Sequence, residues 1–151
     1  FNLPTTGLRF FTVFGPYGRP DMALFKFTQN MLKNKRIHLY NNGIHTRDFT
    51  YIDDVVSGII SLIKKPSKKT IPTEIFNIGS NNPISLKNFI KIIEKILSKK
   101  GKKIYLPLQQ GDVKKTHSDI TKLSKYINYK PSKNIERNIE KFIDWFKAYY
   151  S

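Results

Sequence analysis

At 151 residues, with 39% hydrophobic and 13% aromatic side chains, the chain is long enough for one ordinary domain. It has no cysteine, which excludes disulfides and thiolate metal sites, and its three dispersed histidines (His38, His45, His117) lack ligand spacing, so no metal site is expected. The net charge of +16 favours an anionic partner, yet arginine stands only at positions 9, 19, 36, 47 and 137 and the rest is scattered lysine, a proteome bias rather than a phosphate-tracking groove.

In chain order, residues 7–14 are apolar almost throughout, as in a strand covered on both faces. Gly15-Pro16-Tyr17-Gly18-Arg19-Pro20 is a loop, since Gly and Pro supply turn dihedrals and stop the strand. A helix follows from Asp21 to about Asn34, with Ala23, Leu24, Phe27, Met31 and Leu32 on one face. Residues 37–40 and 46–51 make two short strands around Asn41-Asn42-Gly43, a hairpin signal. Asp53-Asp54 opens a helix to about Lys64, and the acid pair reads as capping and dipole complementarity rather than as a catalytic dyad.

A Lys/Pro/Ser/Thr-rich linker, 64–73, leads to a second buried-type strand, Glu74 to Gly79. Ser85 caps an amphipathic helix over 86–98, followed by a short strand at 104–108 and the loop Gln109-Gln110-Gly111-Asp112-Val113. A short helix at 119–126 and a last one at about 134–149 complete the chain. No apolar run approaches the roughly 20 residues needed to span a bilayer. Phe1-Asn2-Leu3-Pro4 lacks the regions of a signal peptide, so a reducing cytoplasm is the expected setting.

Two buried-type strands some sixty residues apart, with no third to support them, do not make a parallel sheet. The remaining strands are expected upstream of Phe1. The run from Gly7 to Ala23 then lifts a hydroxyl and a guanidinium to the carboxyl end of a strand, where open α/β sheets bind ligands.

These segments together resemble the C-terminal part of extended short-chain dehydrogenases/reductases, and within them the UDP-glucuronate 4-epimerases. The likeness covers the whole chain. It rests on Leu8-Arg9-Phe10-Phe11-Thr12-Val13, on Gly15 to Ala23, on Arg47-Asp48-Phe49-Thr50-Tyr51-Ile52-Asp53-Asp54-Val55, on Phe76-Asn77-Ile78-Gly79, on Gln110-Gly111-Asp112-Val113 and on Asp144-Trp145-Phe146. Departures are Tyr17 where Trp is expected, Gln110 where Pro is common, and His117-Ser118 where an aromatic-Ala pair is usual.

The resemblance implies an α/β chain that is the C-terminal part of an extended Rossmann-type fold: the last one or two parallel strands plus a small mixed α/β substrate-binding domain. Residues 1–20 would close the Rossmann core, 21–73 form a substrate-binding segment, 74–80 return to the sheet, and 81–151 complete the substrate domain. The NAD-binding half, with its glycine-rich turn and its Tyr-x-x-x-Lys pair, would precede Phe1, leaving no catalytic residue in this chain. Tyr126 and Lys130 share that spacing by chance, flanking a turn before Pro131.

By the same resemblance, Thr12 and Arg19 would grip the sugar carboxylate, a hydroxyl and a guanidinium holding a planar anion at two points. The plainer alternatives are a β-branched residue filling a strand and a surface ion pair. Phe11 would lie against the nicotinamide of NAD, and Arg47 would meet the diphosphate. His38 and Tyr40 would border the uracil, Asp112 would accept from ribose hydroxyls, and Gln109 would sit near the phosphates. Met22 and Ala23 would begin a helix whose free N–H groups face anions.

The implied activity is epimerisation of UDP-glucuronate at C4 through a 4-keto intermediate, by a homodimer when full-length. Alternatives are a neutral UDP-sugar epimerase or 4,6-dehydratase of the same superfamily, a remnant pairing with a separately encoded N-terminal half, and a basic nucleic-acid-binding module.

Overall fold

The computed structural model describes residues 2–150; Phe1 and Ser151, the outer limits of the 1–20 and 81–151 segments, lie outside it. The strands are β1 (Thr5–Phe10), β2 (Thr12–Phe14), β3 (Arg36–Leu39), β4 (Thr46–Arg47), β5 (Phe49–Tyr51), β6 (Thr73–Ile78), β7 (Ile84–Ser85) and β8 (Lys102–Tyr105). The helices are α1 (Ala23–Leu32), α2 (Ile52–Ile63), α3 (Leu86–Leu97), α4 (Thr121–Ile127) and α5 (Ile135–Tyr150).

The strands join in pairs drawn from distant parts of the chain. β1 runs parallel to β6, with Gly7 opposite Ile75, and β2 runs parallel to β5, with Thr12 opposite Phe49. β3 is parallel to β8, while β4 is antiparallel to β7. The expected single strand 7–14 is therefore two strands, divided at Phe11, whose N–H donates to the Ile78 carbonyl. Its expected burial on both faces is also corrected. Leu8 is half-buried and Phe10 is 53% exposed, because β6 alone flanks β1 among the described residues.

The expected hairpin is corrected as well. Asn41 and Asn42 do take the left-handed dihedrals that such a turn demands (φ 48° and 49°), within a short 3-10 turn over Tyr40–Gly43. The flanking strands leave each other, however. β3 goes to β8, and the following segment goes to β7 and β2. The strand placed at 104–108 forms earlier, at Lys102–Tyr105, where it can lie beside β3.

Helices α1, α3 and α5 follow their apolar periodicity. Helix α2 buries Val55, Gly58 and Leu62 and leaves Val56, Ile60 and Ile63 exposed, so a buried stripe through those three is corrected. Ser85 caps α3, its side chain accepting from the Asn88 N–H. Asp53 and Asp54 stand in the first turn of α2 rather than at its cap, and the Asp54 carboxylate instead accepts from the Ser132 N–H. One core joins α1, α3 and α5 to β3 and the Phe14–Phe49–Phe89 aromatic cluster, in which Phe49 and Phe89 stack at 3.9 Å. A second joins α2, α4 and β6 through Val55, Leu62, Phe76, Ile78, Leu123 and Tyr129. No helix among the described residues is long and apolar enough to cross a membrane.

Candidate functional site

Asp48 pins the two cores together. It sits between β4 and β5, fully buried. One carboxylate oxygen accepts from the Ser80 N–H and hydroxyl (2.8 and 2.7 Å), the other from the Ser118 N–H and hydroxyl (2.9 and 2.6 Å). Burial pushes this carboxyl up, but the four hydrogen bonds outweigh it and hold it below the usual carboxylate range. Gly79 is needed beside the pin: a Cβ there would stand 2.3 Å from the Ser118 hydroxyl. Asp48 thus explains why an acid follows Arg47, a role the sequence reading did not assign.

The pin aims β4 at a cavity of about 210 Å³ lined by Asp21, Ala23, Lys26, Phe27, His38, Tyr40, His45, Arg47, Phe49, Leu86 and Asp112. Five of the residues expected at a ligand site meet here: Ala23, His38, Tyr40, Arg47 and Asp112. Arg47 donates to Asp112 Oδ1 at 2.8 Å and to the Thr46 carbonyl at 3.1 Å, so its guanidinium is held in one orientation at the cavity wall. Asp112 is offered by a tight turn, closed by its own N–H to the Gln109 carbonyl and by the left-handed Gly111. The exposed Gln109 does not line the cavity; it closes this turn through its backbone.

His45, missed in the sequence, also faces the cavity. Its side chain is 5% exposed, with Nε2 3.3 Å from Asp112 Oδ2 and no aligned hydrogen-bond partner. Burial and the Arg47 guanidinium push it below the ordinary histidine value, and Asp112 only partly offsets them. Nothing in a lone His two residues before an Arg singles it out. Only the fold brings the 109–113 loop to it.

A second, shallower groove of about 320 Å³ lies between Phe11, Val13, Tyr17, Gly18, Arg19 and Met22. The Arg19 side chain is 73% exposed and clasps Asp21 with two bonds, at 3.1 and 2.8 Å. That is the surface ion pair anticipated as the plainer reading. Thr12, half-buried on β2, lines neither opening, so the structure does not bring it into the groove beside Arg19. The α1 N-terminus separates the two openings. Asp21, Ala23 and Lys26 face the cavity while Arg19 and Met22 face the groove. No side chain caps that terminus and no acid stands in its first turn, leaving it electropositive.

Phe11 is the one candidate for contact with a cofactor. Its half-buried ring ends the β1·β6 pair and borders Gly79, which suits a flat ring laid along one wall. Among the described residues no three His, Cys, Asp or Glu side chains gather in a way that could hold a metal ion.

Comparison with known proteins adds the following. A family model described as the NAD dependent epimerase/dehydratase family matches residues 1–79. Protein CapI of Staphylococcus aureus is 44% identical over an alignment of 164 positions, covering 99% of this chain and 49% of that protein. UDP-glucuronate 4-epimerase 4 of Arabidopsis thaliana is 38% identical, covering 100% of this chain and 38% of its own. The structure of UDP-glucuronic acid 4-epimerase from Bacillus cereus, in complex with UDP-glucuronic acid and NAD, superposes with a TM-score of 0.91 at 37% identity. It covers 99% of this chain and 47% of that one. The chain spans less than half the length of these relatives.

Proposed function

The chain belongs to the NAD dependent epimerase/dehydratase family, and from that premise we propose that it is the nucleotide-sugar-binding portion of a UDP-glucuronate 4-epimerase working in the cytoplasm. The observation that carries this reading is the meeting of Ala23, His38, Tyr40, Arg47 and Asp112 around one cavity, with the bare N-terminus of α1 between it and the Arg19 groove. A ligand with a base, a diphosphate and an acidic sugar has its chemistry matched in that order.

The uracil lies by His38 and Tyr40, and the Asp112 carboxylate accepts from the ribose hydroxyls. The diphosphate meets Arg47 and the N–H groups of the first turn of α1, with Gln109 nearby. A guanidinium fixed by its neighbours loses little freedom when it takes an anion. Met22 and Ala23 bring the chain against the phosphates at the start of that helix. Beyond them the hexuronate carboxylate takes the place of Asp21 on Arg19, one planar carboxylate exchanging for another, without the Thr12 hydroxyl, which lies off that groove. This grip keeps the carboxylate out of line with the developing C4 carbonyl and so restrains loss of CO2.

NAD supplies a hydride acceptor and donor for C4 of the sugar, and Phe11 offers it one wall. The catalytic base is assigned to no residue of this chain. A dinucleotide-binding half of the same fold, whether in the same polypeptide or another, would lie on the exposed β1·β6 side.

Arg19 is the discriminating residue. Paired with such a half, the Arg19→Ala variant is expected to lose about 2–3 kcal/mol of transition-state stabilisation with UDP-glucuronate. With UDP-glucose it should lose almost nothing. Equal losses on the two substrates would remove the acidic-sugar assignment. The neutral-sugar epimerase is the second reading, favoured by the Arg19–Asp21 ion pair and by the position of Thr12 away from the groove.

A further inference from the structure

We propose that His45 is a ligand-contacting residue that reads the nucleotide's ribose, its Nε2–H donating to a hydroxyl that in turn donates to Asp112 Oδ2. The proposal rests on the nucleotide reading of the cavity and assigns to it a residue that reading does not contain.

The two oxygens of Asp112 are unequally used. Oδ1 already accepts from Arg47 Nη2 and from the Val113 N–H, each at 2.8 Å. Oδ2 has only the His45 Nε2, 3.3 Å away and out of line for a hydrogen bond. A buried nitrogen without a partner is costly, and native structures rarely leave one unless something else satisfies it. A hydroxyl oxygen at about 2.8 Å from each atom closes a triangle on that 3.3 Å base with ordinary hydrogen-bond lengths. A hydroxyl is both donor and acceptor, so it satisfies both atoms at once. Neither a phosphate nor a ring CH does.

The backbone holds His45 in place for this. Its carbonyl accepts from the Leu86 N–H at 2.8 Å, tying it to the start of α3. The charged or titratable groups sharing the cavity are Arg47 on β4, which begins just after His45, Asp112 on the loop, Asp21 and Lys26 beside and within α1, His38 on β3 and Tyr40 in the following turn. Burial and Arg47 keep the imidazole neutral at neutral pH, so that it presents one donor. Protonation in acid would draw Nε2 onto Oδ2 as an ion pair and close the gap the hydroxyl needs.

The test is calorimetric titration of the 151-residue chain and its His45→Met and His45→Gln variants with UDP, 2′-deoxy-UDP and 3′-deoxy-UDP at several pH values. Both variants fill the space, and only Gln retains a donor. Wild type should prefer UDP over one deoxy analogue by about tenfold, and should lose that preference as the pH falls below the ordinary histidine range. His45→Met should bind UDP about tenfold more weakly and should bring the ratio of the two nucleotides close to one at every pH. His45→Gln should recover most of the preference. If UDP binds but the Met variant keeps the wild-type ratio and pH profile, the role of His45 is overturned while the nucleotide reading stands. If wild type binds none of the three, the nucleotide reading itself falls, and the role of His45 with it.

Discussion

Asp48 decides whether the cavity exists. Replacing it by Ala would strand two N–H groups and two hydroxyls in the interior, and we expect a loss of about 3–4 kcal/mol in urea unfolding. A loss below about 1 kcal/mol would mean that the pin is dispensable. The pH dependence has a definite sign. Because the folded carboxyl titrates below its unfolded value of 3.8, its stabilisation is complete above that pH and disappears as the pH falls through the lower, folded value. Gly79→Ala should act on the same pin, since its methyl group meets Ser118. At this scale the sequence was partly legible. Arg47 and Asp112 were found because their motifs resemble a known family's. Asp48 and His45 were not, because their roles depend on Ser80, Ser118 and the 109–113 loop, which lie 32 to 70 residues away.

At the scale of elements, the stack of Phe49 on Phe89 links the core to the site. Phe89 is fully buried, and Phe49 both lines the cavity and follows the Asp48 pin. Phe89→Ala should cost about 3–5 kcal/mol in stability. It should also weaken UDP binding, because Phe49 loses the ring that sets its orientation. Unchanged UDP affinity in a folded variant would show that the stack only stabilises. Helices were legible because their signal is local. The 3.6-residue period of α3 and the Ser85 cap are both written within a dozen residues. Strand pairing was not, because Ile37 meets Lys103 and Thr12 meets Phe49 only through the whole fold. The Asn41-Asn42-Gly43 turn makes the point: the chain does turn there, and the strands on either side still pair elsewhere.

For the whole molecule, the second core is open on one side. Ile75 is exposed on the face of β6 opposite the buried Phe76 and Ile78, and β1 has β6 alone beside it among the described residues. An unpaired strand edge with an uncovered apolar side chain beside it is where further strands and helices of a sheet dock. Co-expression with the dinucleotide-binding half of a related epimerase should therefore give a co-purifying pair that converts UDP-glucuronate. Ile75→Lys should break the pair without disturbing the 210 Å³ cavity, whose lining it does not join. Failure of the halves to associate would refute the interface. The net charge of +16 finds a place here too, as scattered lysine rather than a continuous groove, although Lys64, Lys65, Lys68 and Lys69 do gather on one face.

The most direct test of the nucleotide-sugar site is a 1H–15N correlation spectrum of the chain followed through titration with UDP and then with UDP-glucuronate. The amides of Met22, Ala23, Lys26, Tyr40, Arg47 and Asp112 should shift with both ligands, and that of Arg19 with UDP-glucuronate alone. Shifts confined to the Lys64–Lys69 face, or none at all at saturating ligand, would contradict the account.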